Sequence, residues 1–213
     1  MTTQANCITI KGSAKTVAQY LNYGINSILF QRGIYPQTEF KFQDEYGIQL
    51  LVTKNARVQE FLNKVLKTVE EWLPQEKLER ISMVLFDIPT RKVIERWDFS
   101  IKHEDDYTCN ENSEPISHKD VKVVQSEIRN VMRQIISSIS FLPAIDNPTT
   151  FDVYLHPKEV ACKKGVPELW EWKSTCDIDI PNSQAVKLRS FSTGFDLVET
   201  EVVYKIVESG KKE

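Results

Sequence analysis

Seven side chains in this sequence offer the chemistry of a nucleophile, a general base or a soft metal ligand. They are His103, His118, His156, Cys7, Cys109, Cys162 and Cys176. Imidazole and thiolate together can hold zinc, or form a nucleophile–base pair. The set that can be drawn is His156, Cys162 and Cys176, spread across a segment without regular pattern. No CxxC pair occurs, so neither a zinc knuckle nor a disulfide framework is indicated. No histidine lies in an HExxH context or has a partner at i+4. The carboxylates Glu104, Asp105, Asp106 and Glu111 crowd the stretch His103–Pro115 (HEDDYTCNENSEP) and could gather a hard cation. A solvated, mobile loop is the simpler reading of so polar a stretch. Glycine is scarce, with seven residues. There is no GxGxxG, no GxxxxGK[ST] and no GxSxG, so phosphate cradles and nucleophile elbows lack support. The chemistry points away from an enzyme and from any cofactor.

Bulk properties narrow the class further. The 213 residues are 41% hydrophobic and 27% charged, an ordinary globular composition. A net charge of -3, from 27 basic and 30 acidic residues, favours neither nucleic acid nor an anionic membrane as main partner. No apolar run approaches the roughly 20 residues of a membrane span. Met1–Asn6 is polar and lacks a signal-peptide core. The reading is a cytosolic or nuclear protein with free thiols, built as one domain.

Three helices must position whatever site exists. The first follows Gly12 and Ser13, with Ser13 as N-cap. Its stripe is Val17, Tyr20, Leu21, Gly24, Ile25, Ile28 and Leu29, and Gly33 and Pro36 end it. Gly24 reads as close packing against another element. The second runs from about Asn55 to Leu73, carries Val58, Phe61, Leu62, Val65, Val69 and Trp72, and stops at Pro74. The third starts at Ser117, with Asp120 completing an acidic capping box. Its stripe is Val121, Val124, Ile128, Val131, Met132, Ile135, Ile139 and Leu142, ending at Pro143.

The strands are equally patterned. Phe40 to Val52 alternates around Gln43-Asp44-Glu45, a hairpin. Ile81–Phe86 (ISMVLF) suits a central strand covered on both faces. Val93, Trp97, Phe99 and Ile101 share one face of the next strand, and Phe151, Val153 and Leu155 mark another. Trp72 and Trp97 read as core. Lys158 to Ala185 has no sustained period, as in lids and other long irregular connections. Trp170 within it is an anchor or a contact residue. Two strand-like runs follow, Val186–Thr193 and Thr200–Val207, with Gly194 in the turn. The chain thus reads as an α+β core with an arm ending in a hairpin. Arg133, taken alone, is a solvated charge.

Specific blocks of residues then carry a resemblance. They are Gly12-Ser13-Ala14, YGINSILFQRGIYP at Tyr23–Pro36, Tyr46-Gly47, Glu95-Arg96-Trp97 with Phe99, and EIRNVMRQI at Glu127–Ile135. They continue with Phe141-Leu142-Pro143, Phe151-Asp152, Val166-Pro167-Glu168 with Trp170, Leu188-Arg189-Ser190-Phe191 and Tyr204-Lys205-Ile206. On these the chain resembles the HORMA-domain family, in the branch that serves the spindle assembly checkpoint. The resemblance implies three helices on one face of an antiparallel sheet, a small hairpin on the other, and a mobile C-terminal safety belt. The core would span about 8–157, the belt about 158–207 and a charged tail 208–213.

The resemblance also implies a two-state switch. In the open state the terminal hairpin covers the edge near Phe151, Val153 and Leu155. In the closed state it crosses to the edge near Trp97, Phe99 and Ile101 and displaces the segment around Ile8–Ile10. A closure-motif peptide then adds to the freed edge as a strand, by β-augmentation, and the belt wraps over it. Belt residues implied are Val166, Pro167, Trp170, Leu188, Arg189, Phe191 and Tyr204. Arg133, Gln134 and Phe141 match an interface for open–closed self-association and for an antagonist. Partners implied are the β-propeller activator of the anaphase-promoting complex, the coiled-coil kinetochore receptor of the checkpoint, and an AAA+ remodelling ATPase with its HORMA-like adaptor. The sites of action would be nucleus, kinetochore and cytoplasm. The alternative within the family is a translesion-polymerase adaptor.

Overall fold

The computed structural model describes residues 7–110, 113–158 and 178–206. Helix α1 (Ile10–Gln31) begins earlier than Ser13 because Thr9 is its N-cap, accepting the Gly12 N–H at 3.1 Å. Ser13 is instead a buried helix residue, bonded to Thr193 and Asp196. The helix ends at Arg32, and Gly33 follows with φ 65°. Gly24 packs against Ile135 and Phe99. Helix α2 (Ala56–Trp72) is capped by Asn55, which takes the N–H groups of Arg57 and Val58. Its buried stripe is Val58, Leu62, Val65, Leu66, Val69 and Trp72, and Pro74 lies in the 3-10 turn that closes it.

The first hairpin is β1 (Phe40–Glu45) and β2 (Ile48–Thr53). Its turn is not at Gln43–Glu45. It sits at Tyr46–Gly47, both with positive φ (51° and 71°), as tight two-residue hairpin turns require. The hairpin lies on the helical layer rather than on the opposite face of the sheet. Phe40 meets Phe30 edge-on at 5.3 Å, and Asn26 Oδ1 accepts the Thr53 N–H at 2.8 Å.

Strands β3 (Leu78–Asp87) and β4 (Val93–His103) follow. The acidic stretch after them is not simply a loop. It holds a short ladder of β5 (Tyr107–Cys109) with β6 (Pro115–Ser117). Ser117 therefore ends a strand, and Asp120 is the N-cap of α3 (Val121–Ser137). A 3-10 turn over Ser138–Ser140 breaks the stripe, which leaves Ile139 exposed while Leu142 is buried.

Strand β7 (Thr149–Pro157) comes next, then β8 (Ser183–Lys187), β9 (Phe191–Ser192) and β10 (Asp196–Lys205). The main sheet has the order β7-β3-β4-β10-β8, with β9 also on β10, and every one of these pairings is antiparallel. Alternation sends Ile81, Met83, Leu85, Trp97, Phe99, Val198 and Val202 into one core with the helices. The opposite face carries Val84, Val93 and Val203, covered by Ile178 and Ile180. Strand β3 is thus covered on both faces, and each large aliphatic side chain it buries is worth about 1.5–3 kcal/mol.

Candidate functional site: a docked hairpin and the outer edge of the sheet

The C-terminal hairpin is docked on β4. Strand β10 pairs along it from Asp196↔His103 to Tyr204↔Glu95, setting Val198 opposite Ile101, Thr200 opposite Phe99 and Val202 opposite Trp97. Trp97, Phe99 and Ile101 are the positions that the resemblance implied as the docking edge. The residues Ile8–Ile10 lie elsewhere. Thr9 bridges Ile116, and the Ile8 carbonyl accepts the Ser117 N–H at 2.9 Å.

Polar contacts fix the register of the seam from the helical side. The Tyr20 hydroxyl meets Thr200 Oγ1 at 2.7 Å, and its ring meets Phe191 at 4.8 Å. Ser13 Oγ donates to Asp196 Oδ2 at 2.5 Å and touches Thr193 Oγ1. Burial raises the Asp196 carboxyl above its ordinary range, against the bond from Ser13. Burial likewise drives the Tyr20 phenol up, so it stays neutral. At the far end Glu95 accepts from Trp97 Nε1 at 2.8 Å and pairs with Arg32.

The hairpin also touches α3. Gln134 Oε1 accepts the Arg189 N–H at 2.6 Å, and Glu127 Oε2 accepts the Ser192 N–H at 3.1 Å. Of the implied belt residues, Phe191 and Tyr204 are buried, Leu188 packs on the core, and the Arg189 side chain is exposed. Val166, Pro167 and Trp170 lie outside the described residues. The hairpin departs from the sequence expectation in detail: β8 starts at Ser183, and the chain is irregular over 188–190 before β9.

The opposite edge of the sheet is the outer edge of β7. Among the described residues β7 has a strand partner only in β3. Phe151, Val153 and Leu155 all turn to the helical core, Phe151 meeting the rings of Tyr35 and Phe61. A cavity of about 1190 Å³ runs across the sheet from Asp152 and Tyr154 on β7, past Phe86 and Val93, to Tyr204 and Lys205 on β10.

Arg133 is exposed at the end of α3, followed by two bare apolar side chains, Ile139 (50% exposed) and Phe141 (43%). His156 is buried and bonded to Ser82 Oγ at 2.9 Å; its two drawn thiol partners, Cys162 and Cys176, lie outside the described residues. Cys7 and Cys109 are exposed free thiols. His103 lies 3.3 Å from Glu76 and 3.7 Å from Asp105. No cluster of three or more metal-ligating side chains occurs among the described residues. Sequence reasoning missed the roles of Arg32, Ser13 and Asp196; the one available signal was a charge set within an apolar run.

An α+β core with its terminal hairpin docked on β4 is the HORMA architecture, and the HORMA family model matches residues 13–196. The chain is 39% identical over 199 residues to mitotic spindle assembly checkpoint protein MAD2A of Homo sapiens, covering 93% of each. It is 34% identical over 200 residues to mitotic spindle checkpoint component MAD2 of Saccharomyces cerevisiae, covering 93% of this chain and 97% of that one. A chain in the crystal structure of the mitotic checkpoint complex superposes with a TM-score of 0.79 at 29% identity, over 92% of this chain and 99% of that one. HTP-1 of C. elegans bound to the HIM-3 closure motif shares the fold alone, with a TM-score of 0.76 at 12% identity, covering 94% of this chain and 93% of that one. The chain belongs to the HORMA-domain family, and within it to the MAD2 spindle checkpoint proteins.

Proposed function

We propose that this protein is a spindle checkpoint switch that captures a closure-motif peptide along the outer edge of β7. The observation that carries the reading is the pairing of β10 with β4, which among the described residues leaves β7 with a strand partner only in β3. We read this arrangement as the closed state. An incoming peptide would bond its main chain to β7, with Phe151, Val153 and Leu155 holding the strand on the core. Main-chain bonds of that kind give affinity, and alternate side chains give register.

The arm from about 158 to 207 acts as the belt over the peptide, with Leu188, Arg189, Phe191 and Tyr204 in its docked part; Val166, Pro167 and Trp170, which the resemblance assigns to the same belt, lie outside the described residues. A peptide under a belt leaves only when the belt opens, so release is slow. The partners in this reading are the β-propeller activator of the anaphase-promoting complex and the coiled-coil kinetochore receptor. An AAA+ ATPase with its HORMA-like adaptor resets the switch. Arg133, Gln134 and Phe141 form the surface for a second copy or the antagonist. The work is regulatory, at the kinetochore and in the nucleus and cytoplasm, with no reaction catalysed. The identity to checkpoint relatives favours this over the translesion-polymerase adaptor.

The test is capture of a fluorescent closure-motif peptide from the anaphase-promoting complex activator, followed by anisotropy and chased with unlabelled peptide. Slow capture and much slower release are expected. Absence of capture overturns the reading.

A further inference from the structure

The sheet face away from the helices carries a chain of polar side chains where a covered face would ordinarily be apolar. Ser82 is fully buried, Asp98 is 4% exposed and His156 is 9% exposed. Buried groups of this kind need partners, and each finds one on the next strand. His156, on β7, lies 2.9 Å from Ser82 Oγ on β3. Ser82 donates to Asp98 Oδ1 on β4. Asp98 Oδ2 accepts from Arg96 Nε at 2.9 Å. Arg96 Nη1 then reaches off the sheet. It donates to the Ile178 carbonyl at 2.9 Å and lies 3.5 Å from Asp179 Oδ1.

The proton count fixes the direction of this chain. Ser82 has one hydroxyl proton and gives it to a carboxylate, so its oxygen accepts from His156, whose Nε2 carries hydrogen. Asp98 therefore has both oxygens occupied, one by Ser82 and one by Arg96. The guanidinium is held by its Nε and has only its outer nitrogens to offer. Those point at the segment where the arm returns to the sheet. Its other anchors are apolar, Ile178 and Ile180 against Val84, Val93 and Val203. Arg96 takes a main-chain carbonyl there as its shorter contact, with the exposed Asp179 carboxylate as a longer, second one.

We propose that Arg96 is the clasp that fixes the returning end of the arm to the sheet, and that Asp98, Ser82 and His156 are positioning residues that aim it. On the reading of the arm as a belt, this clasp sets how fast the belt opens and the peptide escapes. The chain starts on β7, the strand offered to the peptide, and ends on the arm that covers it.

The clasp is tested without ligand by methyl NMR of the full chain. In the wild type, the Ile178 and Ile180 δ1 methyls show contacts with Val84, Val93 and Val203. In Arg96→Met, which keeps the aliphatic stem, these contacts are lost while those of Phe99 with α1 persist. Arg96→Lys restores the charge but not the fork and falls between. Retained Ile178 and Ile180 contacts in Arg96→Met overturn the proposal. In the peptide chase, Arg96→Met should release about tenfold faster, the worth of one charge-assisted hydrogen bond. Unchanged release with lost methyl contacts overturns the role in escape. Failure of the wild type to bind peptide refutes the proposed function and leaves the methyl result to decide the clasp.

Discussion

Arg32 Nη2 lies 2.9 Å from Glu95 Oε2, with the two side chains only 5% and 2% exposed. The same nitrogen donates to the Pro143 carbonyl at 2.6 Å. Arg32 caps the C-terminus of α1, Glu95 sits on the docking strand opposite Tyr204, and Pro143 leads toward β7. One guanidinium thus ties the helix to the docking strand and to the segment that leads into β7.

Removing one member of such a pair strands the other charge. Arg32→Met is expected to destabilise the protein by about 3–5 kcal/mol, because Glu95 stays buried without its cation. The double variant Arg32→Met, Glu95→Leu should recover much of that loss. Urea unfolding of the two variants measures it, and a single variant within about 0.5 kcal/mol of wild type would refute the argument.

Gly194 turns the chain between β9 and β10 with φ 89°, a conformation that L side chains rarely adopt. A Cβ there would lie 2.1 Å from Ser117 Oγ and 3.0 Å from the Asp106 carbonyl. Gly194→Ala should therefore cost about 2–4 kcal/mol, from backbone strain plus overpacking. The damage should fall on the seam first. Hydrogen exchange should accelerate over β10 and not over the β3–β7 ladder; equal acceleration in both would contradict the assignment.

These caps and turns are where sequence pattern ran out. The stripes of α1 and α2 announce themselves because one apolar face repeats over several turns. Ser13 and Ser117 look like N-caps to a local reading. The structure uses Ser13 for Asp196, far along the chain, and Ser117 in a strand, so Thr9 and Asp120 take the caps. Gln43–Glu45 looks more turn-like than Tyr46, yet the positive φ that Gly47 supplies decides the hairpin. Arg96, Asp98, Ser82 and His156 are legible only once register brings three strands together. The choice of edge for β10 was equally hidden, since alternating apolar residues fit β4 and β7 alike.

His156 should impose a pH dependence. Burial, with the nearby charge of Arg80, lowers its pKa from 6.5 to about 4. The folded state therefore binds the proton less well than the unfolded chain. The stability it contributes is present above about pH 6.5 and is lost as pH falls toward 4. The loss is on the order of 1–2 kcal/mol after allowance for partial solvation. Chemical denaturation at pH 7 and pH 4.5 should show a smaller difference for His156→Phe than for wild type. Identical slopes would remove His156 from the account.

Arg133 is exposed to solvent, as are Ile139 and Phe141 further along the chain. Arg133→Ala should leave stability within about 0.5 kcal/mol of wild type. It should weaken self-association in sedimentation velocity while peptide capture is kept. Lost capture with intact dimers would contradict the interface role.

The seam between β4 and β10 joins Trp97 to Val202 and Phe99 to Thr200, across about half of the chain. Contacts so distant in sequence form slowly, because closing the intervening loop must precede any gain from pairing. The β3–β4 ladder closes over a short turn and can be complete while β10 is still being synthesised. The newborn protein therefore carries an unfinished core, and the last apolar side chains to enter it, Val198 and Val202, come from β10 itself.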